Sequence, residues 1–304
     1  MEVLITGGTG LIGRALVPEL LARGDSVAVV TRDAERARPA LPDGVDLVEA
    51  DPCVAGPWLD RARECELIVN LVGESLARSF FWTPGKKRQL RRSRLRPINH
   101  IADALRDNDR PGLLISASAT GYYGDGGERA LGENAEPGGD FLAMLCYEWE
   151  RNAMRAERER RRVVCTRFGV VLAAAGGALP VMLPAFRRGL GGPLGNGRQY
   201  FPWIHIHDVV RAILFLIDTP DVRGAVNVTT PNPPQQREFA QQLGEAVGKP
   251  ARLRAPAWAL RLLLGDKSQL LLQSQRAVPN RLKTHGFKWD YPELDRALAD
   301  LLEG

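Results

Sequence analysis

The stretch Val3-Leu4-Ile5-Thr6-Gly7-Gly8-Thr9-Gly10-Leu11-Ile12-Gly13 decides the architecture: an apolar run, then glycines at 7, 10 and 13, then an apolar face at Leu11, Ala15, Leu16, Leu20 and Leu21. The run reads as a strand and the spaced apolar positions as one side of a helix. Gly7 allows a tight turn, Gly10 lets backbone amides approach a pyrophosphate, and Gly13 lets the helix pack close to the sheet. The helix N-terminus adds partial positive charge where the pyrophosphate would lie. A glycine triplet alone is a weak signal, but directly after a strand and opening a helix it points to dinucleotide binding through Gly7, Thr9, Gly10, Leu11, Ile12 and Gly13.

Outward from this unit, residues 26–30 read as a second strand, and further strands are expected at 46–49, 67–72, 113–116 and 163–167, separated by enough chain for crossover helices. The fold class is therefore α/β, a doubly wound parallel Rossmann sheet with a smaller C-terminal substrate lobe. Its ligand crevice should lie beyond the carboxyl ends of the strands. After Phe168 the glycines at 176, 177, 189, 191, 192, 195 and 197 break the repeat. The expected division is residues 1–168 as the nucleotide-binding domain, with 203–228 returning to it, and 169–202 with 229–304 as the smaller lobe. Within the return, 203–206 reads as a strand, Asp208 as the N-cap of a helix over 209–218, and 225–228 as one more strand.

The end of the second strand discriminates between the two nicotinamide dinucleotides. An acidic side chain there accepts from the adenosine ribose hydroxyls, whereas a cation pairs with a 2′-phosphate. The chain has Thr31-Arg32 there, so NADP(H) is the expected cofactor, ahead of NAD(H). The competing reading is a solvated Arg32 with Asp33 serving the ribose.

Composition excludes several classes. The 304 residues are 44% hydrophobic and 25% charged, which rules out disorder, collagen and coiled coil. A formal charge of +5 does not call for nucleic acid. The strongest basic run, Lys86-Lys87-Arg88 with Arg91, Arg92, Arg94 and Arg96, lacks interleaved aromatics and reads as a solvated helix face; a nucleic-acid reading ranks last. Cys53, Cys65, Cys146 and Cys165 have no paired spacing, as for free thiols in a reducing compartment. Met1-Glu2 runs at once into the first strand, leaving no room for a signal peptide, and Arg167, Arg187 and Arg261 interrupt the most apolar regions. The expectation is a cytoplasmic protein, monomer or homodimer, with a small-molecule substrate and neither membrane nor nucleic acid as partner. His205 and His207 would share one face of a strand, but two histidines without a carboxylate or cysteine ligand are a weak set, and no metal is expected.

Thr6–Gly13, Asn70-Leu71-Val72-Gly73, Ser116-Ala117-Ser118-Ala119-Thr120-Gly121-Tyr122-Tyr123-Gly124 and Gly195-Asn196-Gly197-Arg198-Gln199 through Trp203-Ile204-His205-Ile206-His207-Asp208 resemble the extended and atypical short-chain dehydrogenase/reductases. Gly189-Leu190-Gly191-Gly192-Pro193 and residues 203–206 are similar to the epimerase-like subfamily labelled NAD-dependent epimerase/dehydratase, some members of which carry a cell-division-inhibitor label. The resemblance covers essentially the whole chain. It implies that Asn70, Leu71, Val72 and Gly73 border the cofactor and that Ser118 donates a hydrogen bond to the substrate oxygen. It also implies a Tyr-x-x-x-Lys proton relay on a downstream helix, and here the chain departs. Only six lysines occur, with none between Lys87 and Lys249, and the tyrosine and lysine slots fall near Leu142 and Cys146.

Tyr122 or Tyr123 is the substitute phenol, with Arg94 or Arg167 as the cation that would lower its pKa. The alternative for both tyrosines is packing at the end of the strand. Glu133 resembles an acidic residue of the family's loop, or else is a solvated turn residue. By alignment Arg94 falls where a catalytic asparagine usually lies, facing the crevice. Phe201-Pro202 replaces the arginine-aspartate pair with which nucleotide-sugar enzymes hold a sugar diphosphate, which disfavours such a substrate. Two functional classes follow: an NADP(H)-dependent oxidoreductase or epimerase acting on a small carbonyl or alcohol, and a non-catalytic NADP(H)-binding redox sensor or regulator.

Overall fold

The first strand is apolar on both faces because helices cover both: Val3, Leu4 and Ile5 are all fully buried, without the alternation of a half-solvated strand. A computed structural model describes residues 1–77, 79 and 81–303. Gly304, the last residue of the expected smaller lobe, lies outside the described residues, as do Arg78 and Phe80. In chain order the first half comprises β1 (Glu2–Thr6), α1 (Leu11–Ala22), β2 (Ser26–Thr31), α2 (Ala34–Ala37), β3 (Asp46–Glu49), α3 (Trp58–Glu64), β4 (Leu67–Asn70), α4 (Pro84–Ala104), β5 (Gly112–Ala119), β6 (Ala130–Leu131) and α5 (Phe141–Met154). The second half comprises β7 (Arg161–Phe168), β8 (Val170–Ala173), β9 (Gly176–Gly177), α6 (Leu179–Arg187), β10 (Trp203–His205), α7 (Ile206–Asp218), β11 (Gly224–Val228), α8 (Gln236–Ala246), α9 (Ala257–Leu264), α10 (Gln269–Leu272), β12 (Arg276–Ala277), α11 (Asn280–Thr284) and α12 (Leu294–Glu303).

Seven strands form the expected all-parallel sheet, in the order β11-β7-β5-β4-β1-β2-β3. The α1 and α7 helices pack together, as do α3 with α4 and α4 with α5, so two helical layers sandwich the main apolar core. A second apolar cluster joins Leu172, Leu179, Phe186, Trp203, Phe239 and Leu298 around α6, α8 and α12. Among the described residues no helix is long and apolar enough to cross a membrane.

The return segment differs from its reading in sequence. Only β11 enters the central sheet; β10 pairs with β8 in a separate three-stranded sheet. The strand stops at His205, one residue early, and the N-cap is His205 rather than Asp208: its ring Nδ1 accepts from the His207 amide at 3.1 Å. Asp208 instead sits fully buried in the first turn of α7, accepting from the amides of Asp290 and Tyr291 at 2.9 Å each. His205 and His207 therefore do not share a strand face. His207 pairs with Asp290 at 2.9 Å, while His205 stacks on Tyr291 with 4.0 Å between ring centroids.

Burial lowers the His205 pKa from its ordinary 6.5, outweighing the carboxylates of Asp300 and Asp208. A depressed histidine pKa means the unfolded chain binds the extra proton first. The contribution of neutral His205 to stability is therefore full above about pH 6.5 and is lost as the pH falls below it. We expect the wild-type melting temperature to drop between pH 7 and pH 5 more than that of His205→Gln; parallel curves for the two proteins would contradict this.

Candidate active site

Beyond the carboxyl end of β1 the chain turns at Gly7, whose φ of +77° is the left-handed region that glycine enters freely. A Cβ at Gly7 would lie 2.8 Å from the carbonyl carbon of Leu71 and the amide nitrogen of Val72, so the segment after β4 runs against the glycine turn. Gly13 is tighter still: a Cβ there would sit 2.4 Å from the Gly8 carbonyl oxygen, and only hydrogen lets α1 start this close to β1. Thr9 and Gly10 are exposed at the helix start, Leu11 is half-buried, and Ile12 packs on the main core. The result is a narrow backbone cradle at the start of α1 that leaves no room for a side chain at Gly7 or Gly13.

Asn70 reaches the same edge with its side chain committed inward: Thr6 Oγ1 donates to Asn70 Oδ1 at 2.7 Å, and Asn70 Nδ2 donates to Ser116 Oγ at 3.3 Å. It ties together β1, β4 and β5. Arg32, just past β2, is exposed and holds no carboxylate among the described residues. Asp33 is already used, since its Oδ1 accepts from the Arg36 amide at 2.9 Å and caps α2. The residue that competed with Arg32 for the ribose thus has a local structural duty.

The carboxyl ends of β5 and β7 bring a buried polar cluster together. Ser118 and Arg167 are register partners, and both face α5. Ser118 Oγ donates to Glu150 Oε1 at 2.6 Å, while Arg167 grips the same carboxylate through Nε at 2.8 Å and Nη2 at 2.7 Å. The Arg167 guanidinium carbon stands 3.4 Å above the ring centroid of Tyr122, and Nη1 donates to the Tyr123 hydroxyl at 2.9 Å. Burial pulls the Arg167 pKa down, but the Glu150 carboxylate outweighs it and the net shift is upward.

Tyr123 in turn donates to Asn227 Oδ1 at 2.7 Å, and burial pushes its phenol up to about 12. Burial also raises Tyr122. Arg167 lies beside both phenols, as read from sequence, yet it fails to lower either, because desolvation exceeds its field. The Tyr123 hydroxyl faces the interior rather than the crevice, which favours the packing reading for it. Glu133 is buried, not a solvated turn residue: its Oε1 accepts from the amides of Asn227 at 3.2 Å and Arg281 at 3.1 Å.

The two relay slots on α5 are apolar in character. Leu142 is buried in the first turn, which Asp140 caps, and Cys146 is buried beside Ser118 and Ala119, its thiol pushed up to about 12 by burial. Glu150, one turn beyond Cys146, belongs to this cluster although no motif marks it. Its readable signal was an acidic residue at a core position of an otherwise apolar helix face, with Leu142, Cys146, Trp149 and Ala153. Arg94 lies against Gly73, where a Cβ would be 3.2 Å from its guanidinium carbon, and 5.5 Å from the Trp149 ring centroid. The basic run is largely engaged within the fold: Lys86 pairs with Glu74 at 2.8 Å, Lys87 with Asp266, and Arg91 with Glu148 at 2.6 Å. No group of three metal-ligating side chains occurs among the described residues.

Residues 3–229 match the model of the NAD dependent epimerase/dehydratase family, and residues 255–301 match a domain of unknown function, DUF1731. The chloroplastic epimerase family protein SDR39U1 homolog of Arabidopsis thaliana is 37% identical over 308 residues, covering 100% of this chain and 87% of its own. The epimerase family protein SA0724 of Staphylococcus aureus is 35% identical, with 99% of each chain covered. The crystal structure of human epimerase family protein SDR39U1 (isoform 2) with NADPH superposes at a TM-score of 0.87, with 31% identity and 100% of each chain covered. The UDP-glucose 4-epimerase of Thermotoga maritima shares the fold at a TM-score of 0.78 and 18% identity, covering 100% of this chain and 98% of its own.

Proposed function

The chain belongs to the NAD dependent epimerase/dehydratase family, and on that premise we propose that it binds NADP(H) and acts as an oxidoreductase or epimerase on a small carbonyl or alcohol compound. The observation that carries the cofactor assignment is the cradle at Gly7 and Gly13, which a single methyl group would fill, followed at the end of β2 by an exposed Arg32 that has no carboxylate partner among the described residues. The human relative crystallised with NADPH supports the same choice. Gly7, Thr9, Gly10, Leu11, Ile12 and Gly13 would hold the pyrophosphate side and Arg32 the 2′-phosphate, with Leu71, Val72 and Gly73 along the opposite wall. When bound, the nicotinamide supplies a hydride acceptor or donor.

The chain's own part begins at Ser118. Its proton is held by Glu150 at 2.6 Å, which turns the oxygen lone pairs toward any hydroxyl entering the crevice. With its one proton given to Glu150, Ser118 does not donate to the substrate oxygen as the resemblance implies; in this state it accepts a hydrogen bond from a substrate alcohol. Glu150, fixed by two bonds from Arg167, sets that orientation. Tyr122 is the remaining phenol for proton transfer.

A second reading, a non-catalytic NADP(H)-responsive regulator, is favoured by one observation: Leu142 and Cys146 occupy the relay slots. Turnover by cofactor-loaded protein on a panel of carbonyls and alcohols separates the two. The cofactor assignment is tested by titrating the protein with NADPH and NADH, watching nicotinamide fluorescence. NADPH is expected to bind at least ~10-fold tighter, worth about 1.4 kcal/mol, with the gap collapsing in Arg32→Ala. Equal affinities in the wild type would move the cofactor to NAD(H).

A further inference from the structure

Arg94, Arg161, Arg162 and Arg167 are drawn into this fold, and among the described residues only Arg167 of these four meets a carboxylate within ion-pair distance. Arg161 donates to the carbonyls of Leu105, Asn108 and Arg110, and Arg162 to those of Leu216, Ile217 and Val222, so each caps a helix C-terminus. Arg167 has the Glu150 carboxylate. Among the described residues Arg94, like Arg161 and Arg162, has no carboxylate acceptor: it donates to Glu74 O at 3.0 Å, Leu90 O at 3.3 Å and Ser93 Oγ at 3.5 Å, away from any helix C-terminus. No carboxylate lies within ion-pair distance of it among the described residues. Burial lowers its pKa, as it does those of Arg161 and Arg162, whereas the Glu150 carboxylate raises Arg167.

The Glu74 carboxylate is near enough to favour the charged form of Arg94 but forms no ion pair with it among the described residues. Glu74 pairs with Lys86, Glu150 with Arg167, and the Cys146 thiol and Tyr123 phenol are held protonated by burial. Arg94 itself is half-buried, backed by the Trp149 ring and the Gly73 backbone next to the expected nicotinamide wall. A partly desolvated guanidinium is strongly stabilised by a carboxylate or phosphate that takes two of its N–H groups at once. We propose that Arg94 binds the anionic group of the substrate in the crevice, so that the carbonyl or alcohol compound processed beside Ser118 is a carboxylate or phosphate ester rather than a neutral molecule. This deepens the oxidoreductase or epimerase reading and rests on it.

The test uses full-length protein saturated with NADPH and titrated at constant ionic strength with oxalate and, separately, with inorganic phosphate, by calorimetry and nicotinamide fluorescence. Saturable binding of at least one anion is expected, weakened ~10-fold or more by Arg94→Gln and less by Arg94→Lys, with NADPH affinity unchanged and with Arg88→Gln behaving as wild type. Whichever anion binds tighter identifies the group as carboxylate or phosphate. Binding of neither anion, binding that survives Arg94→Gln, or an anion that displaces NADPH would overturn the proposal. Should Arg94→Gln fail to melt cooperatively, Arg94→Lys decides: an affinity equal to wild type would show that no bidentate contact exists. A protein that binds no NADPH would sink the cofactor reading alone, since calorimetry of the unloaded protein still reports on Arg94.

Discussion

Glu150→Ala is expected to lower the unfolding free energy by about 3–5 kcal/mol, the range for stranding one member of a buried ion pair. Arg167 would keep its charge with 3% of its side chain exposed and lose both bonds to the carboxylate, while Ser118 would lose its 2.6 Å acceptor. For a chain of this length that corresponds to roughly 10 °C in melting temperature, measurable by calorimetry or by urea unfolding. Glu150→Leu combined with Arg167→Met should recover part of the loss, because an apolar pair of similar volume removes the stranded charge. It should not recover all of it, since Arg167 also holds the Tyr123 hydroxyl and the Glu133 carbonyl. A Glu150→Ala protein melting within a degree or two of wild type would show that the pair contributes nothing net.

The second large effect is expected at Gly13. The added methyl of Gly13→Ala would meet Gly8 at 2.4 Å from its carbonyl oxygen and 2.5 Å from its Cα, both backbone atoms that cannot rotate away. Either α1 shifts outward or the turn is remodelled, and overpacking of this kind costs about 1–3 kcal/mol. The displaced groups are the amides that would face the pyrophosphate. NADPH affinity should therefore fall ~10- to 100-fold while the circular dichroism of the folded protein stays near wild type. Gly24→Ala is the control: among the described residues no heavy atom beyond its chain neighbours would lie within 4 Å of its new methyl, and it sits beyond the far end of α1. It should leave NADPH binding intact while losing a little stability, because its φ is +85°. Unchanged NADPH binding in Gly13→Ala would mean that the cofactor does not use this cradle.

The parts of the fold legible in sequence were those written in local periodicity. The central strands and the glycine turn follow from runs such as Val3-Leu4-Ile5 and from the 7, 10, 13 spacing. The site was less legible because its members meet only through tertiary packing. Glu150 and Arg167 are far enough apart in sequence that no helical or strand period links them, and only the register of β5 with β7 places Ser118 beside both. The stop of β10 at His205 carried no glycine or proline to announce it, so a side-chain cap by histidine read as continuing alternation. Tyr123 looked available beside a strand end, but its environment is set by Asn227 on β11, more than a hundred residues away.

The adjacent arginines at the start of β7 bear on the order in which the molecule closes during synthesis. Neighbouring strand residues point to opposite faces, so Arg161 clasps the end of α4 on one side of the sheet and Arg162 the end of α7 on the other. As the chain leaves the ribosome, the α4 carbonyls must wait some fifty residues for Arg161 to emerge, whereas Arg162 is already waiting when α7 appears. The two helical layers are thus sealed by one dipeptide at different times.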